Sequence, residues 1–374
     1  MVITVVVPRL PPAVDGVGDY GINLAKQMRQ NFNVMTEFVI GDANWTGDDI
    51  VEGFPVKQVS TPSKTALLAL LPHEQNSEQI VLLHYVGYGY ARRGCPIWLV
   101  EGLEKWRKGA NNRRLVTMFH EIYAFGAIWT SQFWTSPLQR NLAARLVRLS
   151  DRCITSKQGY ADIIGKFSQG KHSDIPTLPV FSNVGEPESL TPLSARPRRL
   201  VIFGGTGPRS RVYQTSQLAL KRTCQELEIE EIFDIGPALK FEITPLNNIP
   251  VTCLGINSAS EISDILSSSL VGFFNYPLAF LTKSGIFAAY CAHKVLPVGT
   301  WDEGRDLDGL VAGKHYWLGD RYEQKMNLAD GQIVADHAYN WYEQHNLSAQ
   351  ARIFTNFTSF HLITNRRGAE DAEE

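Results

Sequence analysis

Asn183-Val184-Gly185-Glu186-Pro187-Glu188-Ser189-Leu190-Thr191-Pro192-Leu193-Ser194-Ala195-Arg196-Pro197-Arg198-Arg199 holds three prolines and no hydrophobic period. Proline removes a backbone donor and holds its predecessor extended, so such a stretch reads as a linker. Short β-branched apolar runs followed by amphipathic helical patterns stand on both sides of it. Before it, strands are predicted over 3–7, 34–40, 80–84, 115–119 and 152–155, with helices over 19–29, 97–108, 137–149 and 157–167. After it, strands are predicted over 200–203, 231–235, 251–254 and 270–275, with helices around 214–227 and over 259–266 and 283–292. Continuous apolar strands alternating with helices signal parallel sheets covered on both faces. At roughly 150 residues per domain, a chain of 374 residues holds two such units.

The expected architecture is therefore α/β, with two Rossmann-like domains facing a central cleft. An N-terminal domain spans 1–182, a linker 183–198 and a second domain 199–345. A C-terminal helix over 346–365 crosses back to the N-terminal domain, and the acidic, apolar-poor residues 366–374 form a disordered tail.

Composition narrows the function classes. Thirty-six basic and 38 acidic side chains leave a formal charge of −2, which argues against a general polyanion binder, and nucleic acid is not expected among the partners. The charge is unevenly shared: residues 1–185 hold 19 basic and 15 acidic side chains (+4), the remainder 17 and 23 (−6). The five cysteines, 95, 153, 224, 253 and 291, include no CxxC pair, so a reducing compartment is expected. No run approaches the roughly 18 apolar residues of a spanning helix. The start, Met1-Val2-Ile3-Thr4-Val5-Val6-Val7-Pro8, reads as a buried strand and not as a signal peptide. A cytoplasmic protein is expected.

Four loops follow predicted strands with chemistry-bearing residues. Pro11-Pro12-Ala13-Val14-Asp15-Gly16-Val17-Gly18-Asp19-Tyr20 follows the first strand. Gly16 and Gly18 permit close backbone approach to a ligand, and a helix N-terminus offers N–H groups. Gly16, Gly18 and Gly21 match the spacing GxGxxG, yet eight residues separate strand from glycines where a dinucleotide site needs a tight turn. A surface turn capped by Asp19 has the same pattern. Phe119-His120-Glu121 stands at the carboxyl end of another strand. There His120 can donate to a substrate oxygen while Glu121 fixes its tautomer. A structural histidine bonded to a loop carbonyl is the bland alternative, and more so for His84.

Phe203-Gly204-Gly205-Thr206-Gly207-Pro208-Arg209-Ser210-Arg211 opens the second domain. Its glycines and two arginines suit phosphate oxygens, but the Lys-Ser/Thr of a Walker A loop is missing. Tyr276-Pro277-Leu278-Ala279-Phe280-Leu281-Thr282-Lys283-Ser284-Gly285 leads into a helix, where small residues and Lys283 also suit phosphate, unless Thr282 or Ser284 is merely an N-cap. No metal ligands are assigned. The histidines do not cluster, HExxH is absent, and Asp306-Leu307-Asp308 reads as a solvated acidic loop far from the phosphate candidates. No GxSxG elbow favours a hydrolase.

Taken in order, the PPxxxGVGDY loop, FHE near 120, Ser-Asp-Arg-Cys-Ile-Thr-Ser at 150–156, Pro179-Val180-Phe181-Ser182-Asn183, FGGTGPRSR and Phe287-Ala288-Ala289-Tyr290-Cys291-Ala292 form a distinctive series. The series resembles a GT-B glycosyltransferase of the retaining, glycogen-synthase-like kind of family four, as a divergent bacterial member. The resemblance covers most of residues 1–300. It implies transfer of a hexose from a UDP- or GDP-linked sugar to a sugar or lipid-linked acceptor, with retention, without metal and with no cofactor beyond the substrate. Gly16 and Gly18 then match the glycine-rich loop near the donor diphosphate, and His120 the histidine that contacts the donor sugar. Arg209 and Arg211 match the basic pair on the leaving diphosphate. Gly204, Gly205, Thr206, Lys283, Ser284 and Gly285 match the loops and helix starts around the phosphates. The family usually carries two glutamates where this sequence has Phe280 and Ala288, which motivates an alternative, a catalytically silent nucleotide-sugar-binding or partner subunit. A nicotinamide-dependent dehydrogenase rests on Gly16, Gly18 and Gly21 alone.

Within 89–170 the balance is 13 basic to 5 acidic. There Phe125, Trp129, Phe133 and Trp134 interleave with Arg140, Arg145 and Arg148, beside a second group of Trp98 and Trp106 with Arg107, Lys108, Arg113 and Arg114. Such a stretch suits an anionic membrane surface carrying a lipid-linked acceptor, or equally an amphipathic helix over the sheet.

Overall fold

The computed structural model describes residues 1–74, 77–124, 131–246, 249–300, 308–320 and 325–359. They form two compact units, one drawn from residues 1–179 together with the residues from 347 to 359, and one drawn from residues 180–346.

In unit 1 the strands are β1 (Val2–Val7), β2 (Met35–Ile40), β3 (Ile50–Val51), β4 (Phe54–Gln58), β5 (Gln79–Tyr85), β6 (Arg113–Phe119) and β7 (Arg152–Thr155). Their helices are α1 (Gly16–Phe32), α2 (Lys64–Leu70), α3 (Gly87–Tyr90), α4 (Ile97–Lys108), α5 (Ser131–Leu149) and α6 (Gln158–Ser168). The sheet order is β3-β4-β2-β1-β5-β6-β7, with β3 antiparallel to β4 and every other pairing parallel. β5 is buried along its whole length, which explains its unbroken apolar run. β3 and β4 lie outside the sequence expectation. Their hairpin turns on Glu52 and Gly53, both at positive φ (52° and 75°), a two-residue connection whose twist matches the strands.

Unit 2 holds β8 (Arg199–Phe203), α7 (Thr206–Thr215), α8 (Gln217–Glu226), β9 (Glu231–Ile235), β10 (Val251–Gly255), α9 (Ala259–Ser267), β11 (Val271–Phe274), α10 (Gly285–Ala292), β12 (Leu296–Gly299), β13 (Trp317–Leu318) and α11 (Leu328–Glu343). Its sheet, β10-β9-β8-β11-β12-β13, is parallel throughout. Leu200, Ile202, Ile232, Phe273 and Val298 form its core. The helix expected around 214–227 is α8, and a further helix, α7, precedes it; the two are parted at Ser216, whose φ of −116° leaves the helical region.

The stretch read as a linker is packed into unit 2. Leu193 is fully buried in the core, and the Arg196 guanidinium donates to the carbonyls of Thr191, Ser269 and His293. A guanidinium with its donors paired is tolerated inside, although burial lowers its pKa to about 10. The final helix, α12 (Leu347–Thr358), belongs to unit 1. There Asn31 donates to Ser348 (3.3 Å) and Gln350 donates to the Pro179 carbonyl (2.6 Å). The remainder of the helix expected to 365, and the acidic tail, lie outside the described residues. Among the described residues no helix is long and apolar enough to cross a membrane.

Candidate functional site

Both sheets share a strand sequence that runs outward in two directions from the first strand of the unit. Connections leave β1 toward β2 on one side, while β5 flanks it on the other; in unit 2, β9 and β11 flank β8 in the same way. The crevice at such a switch point, outside the carboxyl ends of the strands, is where open α/β sheets bind ligands. The two switch points put the β1–α1 loop beside the end of β5, and the β8–α7 loop beside the end of β11.

In unit 1 the β1–α1 loop is tied to its own surroundings. Arg9 pairs with Asp42 (2.6 Å) and Asp15 (3.5 Å), and the Trp45 indole donates to the Leu10 carbonyl (2.7 Å). The helix cap is Asp15, not Asp19: its Oδ1 accepts from the N–H groups of Val17 and Gly18, both at 3.0 Å. The anion already at this helix start is thus the protein's own carboxylate. Gly18 is required for packing, because a Cβ there would lie 2.0 Å from the Arg9 carbonyl oxygen, whereas a Cβ on Gly16 would meet nothing. Gly21 brings α1 down onto Val7 and His84. Gly18 and Gly21 therefore serve the seating of α1, which removes two of the three glycines on which the dehydrogenase reading rests. Burial first and Asp15 second raise the Asp19 carboxyl to about pKa 6.

Next to this helix, His120 follows β6 and its backbone N–H donates to the Tyr85 carbonyl (3.0 Å). Its Nε2 lies 3.0 Å from Nδ1 of His84, which is fully buried near the end of β5. Tyr20 stands edge-on to both imidazoles, and Phe354 of α12 covers His84. The Tyr20 hydroxyl donates to Gln350. Burial pushes His84 down to about pKa 3 and Tyr20 far above the phenol range. Glu121 lies half-buried on the loop, and its charge adds to burial, the larger cause, in raising Tyr160. Tyr20 and Gln350 were not legible as site residues, since their neighbours come from 64 to 330 positions away in the chain.

In unit 2 the sequence candidates do converge. Gly204, at φ 125°, lies where a Cβ would meet Ile286 at 2.5 Å, so the β8–α7 loop and the start of α10 touch. Gly205 is the N-cap of α7 and Thr206 its first residue; no side chain caps this helix and no acid stands in its first turn. α10 begins at Gly285 and is capped by Ser284, which accepts from Phe287 (3.2 Å). A recess lined by Phe203, Pro208, Asn275, Tyr276 and Ser284 lies alongside. Arg209 and Arg211 part ways. Arg209 is buried, donating to both Asp234 carboxylate oxygens and to the Pro237 carbonyl (2.7 Å). Arg211 is exposed and donates to the Asn275 carbonyl (3.2 Å), and Lys283 lies 5.6 Å from the Phe280 ring centroid.

The DxD triplet needs correction in part. Asp306 and Leu307 lie outside the described residues, but Asp308 is half-buried and accepts from Thr282 (3.2 Å), inside the loop that sequence distance placed far away. Among the described residues no group of three or more His, Cys, Asp or Glu side chains could hold a metal ion.

The aromatic–basic stretch divides as well. Phe125 and Trp129 lie outside the described residues. Phe133 and Trp134 are exposed, Trp134 by 75%, and Arg140 lies over the Tyr123 ring. Arg145 is paired bidentately with Glu104 and Arg107 with Asp151. Trp106 is core, not surface: it is fully buried on the inner face of α4, and its indole donates to the Pro72 carbonyl (2.8 Å). Arg113 donates to the Trp106 carbonyl and Arg114 pairs with Glu78. The second group is therefore largely a set of structural pairs.

No protein-family model matches the chain, and no curated protein is similar to it in sequence. Solved structures are similar in fold. An alpha-glucosyltransferase in complex with UDP and a 13-mer DNA containing an HMU base is 12% identical, with a TM-score of 0.58 over 96% of this chain and 99% of the other. The pneumococcal O-GlcNAc transferase GtfA with UDP and GlcNAc is 9% identical, with a TM-score of 0.54 over 96% and 98%. The lipopolysaccharide outer core galactosyltransferase WaaB is 10% identical, with a TM-score of 0.50 over 95% and 98%. The fold is that of these GT-B structures, two Rossmann-like α/β units. The exclusion of nucleic acid, drawn from whole-chain charge, is overturned by the same comparison. Two of the similar structures, the second 13% identical with a TM-score of 0.56, are complexes with DNA.

Proposed function

We propose that this chain is a glycosyltransferase that moves a hexose from a UDP- or GDP-linked sugar to a hydroxyl acceptor. The observation that carries the reading is the start of α7: an uncapped helix N-terminus at the switch point of unit 2, reached across a glycine at positive φ. Such a terminus holds a diphosphate by its N–H groups and dipole. Arg211 and Lys283 add cations, so charge building on the departing diphosphate meets groups already in place and the transfer proposed needs no metal; retention is proposed from the resemblance to the retaining family alone. Gly204, Gly205, Ser284 and Gly285 shape the seat. In unit 1, His120 donates to a sugar hydroxyl and Glu121 lies on the same loop. The α1 start has a lesser part, since Asp15 occupies its N–H groups. The UDP complexes among the GT-B neighbours support a nucleotide-sugar donor. A sugar hydroxyl, free or lipid-linked, is the acceptor proposed, and exposed Phe133 and Trp134 offer an apolar contact for it at a membrane surface.

A second reading, a silent nucleotide-sugar-binding subunit, is favoured by Phe280 and Ala288, where no carboxylate stands. Calorimetric titration with UDP, GDP and their sugars, followed by transfer assays on sugar, lipid-linked and DNA acceptors, separates the readings. Binding with turnover supports the transferase and binding without turnover the silent subunit. Turnover on DNA alone overturns the sugar acceptor, and no binding overturns both. Thr206→Asp sharpens the test: an acid in the first turn keeps the helix but repels the diphosphate, so binding should be lost from a folded protein.

A further inference from the structure

The contact between His84 and His120 has only one economical arrangement of protons. A neutral imidazole carries one N–H and one lone pair. Burial keeps His84 neutral down to about pH 3. Its Nδ1 is 3.0 Å from Nε2 of His120, and its own Nε2 is buried with no hydrogen-bond partner among the described residues. That nitrogen faces α1 at the point where even a methyl group on Gly21 would come within 3.7 Å. A buried orphan N–H is rarer than an under-satisfied acceptor, so the His84 proton belongs on Nδ1, where it is donated to His120. His120 Nε2 is then an acceptor, which places the His120 proton on Nδ1. Protonating His120 would set two N–H groups against each other, or force the His84 proton onto the orphan nitrogen. The packing prevents escape: the rings lie 5.3 Å apart at 29°, Tyr20 stands edge-on to both, and Phe354 covers His84.

We propose that His84 is a positioning residue that holds His120 as the uncharged Nδ1–H tautomer, making it a neutral hydrogen-bond donor and not an acid. For the transferase proposed above, on which the substrate side of this inference rests, His120 acts toward the sugar as an uncharged group and not as an acid. A proton for the leaving diphosphate must come from elsewhere.

Long-range ¹⁵N–¹H correlation spectra of the whole labelled chain read the tautomer directly, with His120 assigned by the signal lost in His120→Gln. The expected pattern is a protonated Nδ1 and a bare Nε2, unchanged from pH 8 to pH 5. A protonated Nε2, or an imidazolium above pH 5, would overturn the proposal. His84→Asn, whose amide nitrogen can stand where Nδ1 stood, should keep the pattern. His84→Leu should shift His120 to the other tautomer, restore an ordinary titration near pH 6.5, and lower kcat by roughly tenfold or more with a smaller change in KM. If His84→Leu fails to fold, the wild-type spectrum still decides. The spectrum needs no substrate, so it can fail while the transferase reading stands, and the reverse.

Discussion

Arg209 and Asp234 form an ion pair closed off from water, with 2% and 0% of the two residues exposed. The Tyr213 hydroxyl donates to the same carboxylate (2.8 Å), and Arg209 also reaches the Pro237 carbonyl. Beside it, Gly236 has a φ of 144°, and a Cβ there would lie 2.2 Å from the Gly204 carbonyl oxygen. Arg209 therefore joins α7 to the loop after β9, and its guanidinium, which sequence reading assigned to a phosphate, is engaged by Asp234 and the Pro237 carbonyl.

Arg209→Ala leaves a buried carboxylate without its cation, which costs about 3–5 kcal/mol. Urea unfolding should show that loss. Arg211→Ala, on the exposed face, should stay within about 0.5 kcal/mol of wild-type stability and weaken UDP binding by about 1.5 kcal/mol, the worth of a charge-assisted hydrogen bond. Equal stability of the two variants would contradict the assignment.

Gly18→Ala drives a methyl group into the Arg9 carbonyl, and the forced backbone shift should cost about 1–3 kcal/mol. Gly16→Ala has open space and should gain about 0.4–1 kcal/mol through the less flexible unfolded chain. Melting temperatures of the two proteins should move in opposite directions.

Asp19 has a folded pKa of about 6, above the ordinary carboxylate value. The folded state therefore keeps this proton longer than the unfolded chain, so its contribution is greatest below about pH 4 and is lost as pH rises through 6. Asp19→Asn should stabilise the protein at pH 7.5 by about 1–2 kcal/mol, allowing for partial solvent screening, and change little at pH 4. A gain that is independent of pH would show that the buried Asp19 charge is not its source.

Burial lowers His84 to about pKa 3, and His293 and His345 to about 4. Unfolding lets each take up a proton near pH 6.5. Their contribution is thus fully present above 6.5 and falls as pH drops toward 4, by about 1.4 kcal/mol per pH unit for each. Denaturation curves between pH 7 and 5 should show this slope. His345→Gln should lower the slope by one histidine's share, about 1.4 kcal/mol per pH unit; a slope unchanged by the replacement would show that His345 does not titrate on unfolding.

Much of the fold was legible because parallel strands buried on both faces leave unbroken apolar runs; β7 and β9 match their expected bounds, and β5 differs only at its ends. β12 was not legible, since Leu296-Pro297-Val298-Gly299 carries two residues that disfavour strands, yet it lies between β11 and β13 in the sheet. Tertiary pairing overrode local preference there. His120, Gly204 and Ser284 could be singled out as candidates because strand ends and helix starts leave local signals. Their surroundings left none: Tyr20 meets Gln350 across 330 positions.

Local chemistry along the chain determined that two α/β units would form and which loops would lie at their strand ends, because hydrophobic period and helix capping act within a few residues. Only the tertiary structure decided what each charged or polar group faces. The stretch from Asn183 to Arg199 has the composition of a linker, yet Leu193 and Arg196 find apolar and carbonyl partners that distant strands and helices supply, and it folds as part of unit 2. Arg209 and Arg211 stand two positions apart with the same guanidinium. One is closed in with Asp234 and the other is exposed, because a helix turns successive side chains to different faces and only the sheet behind it determines which face is dry.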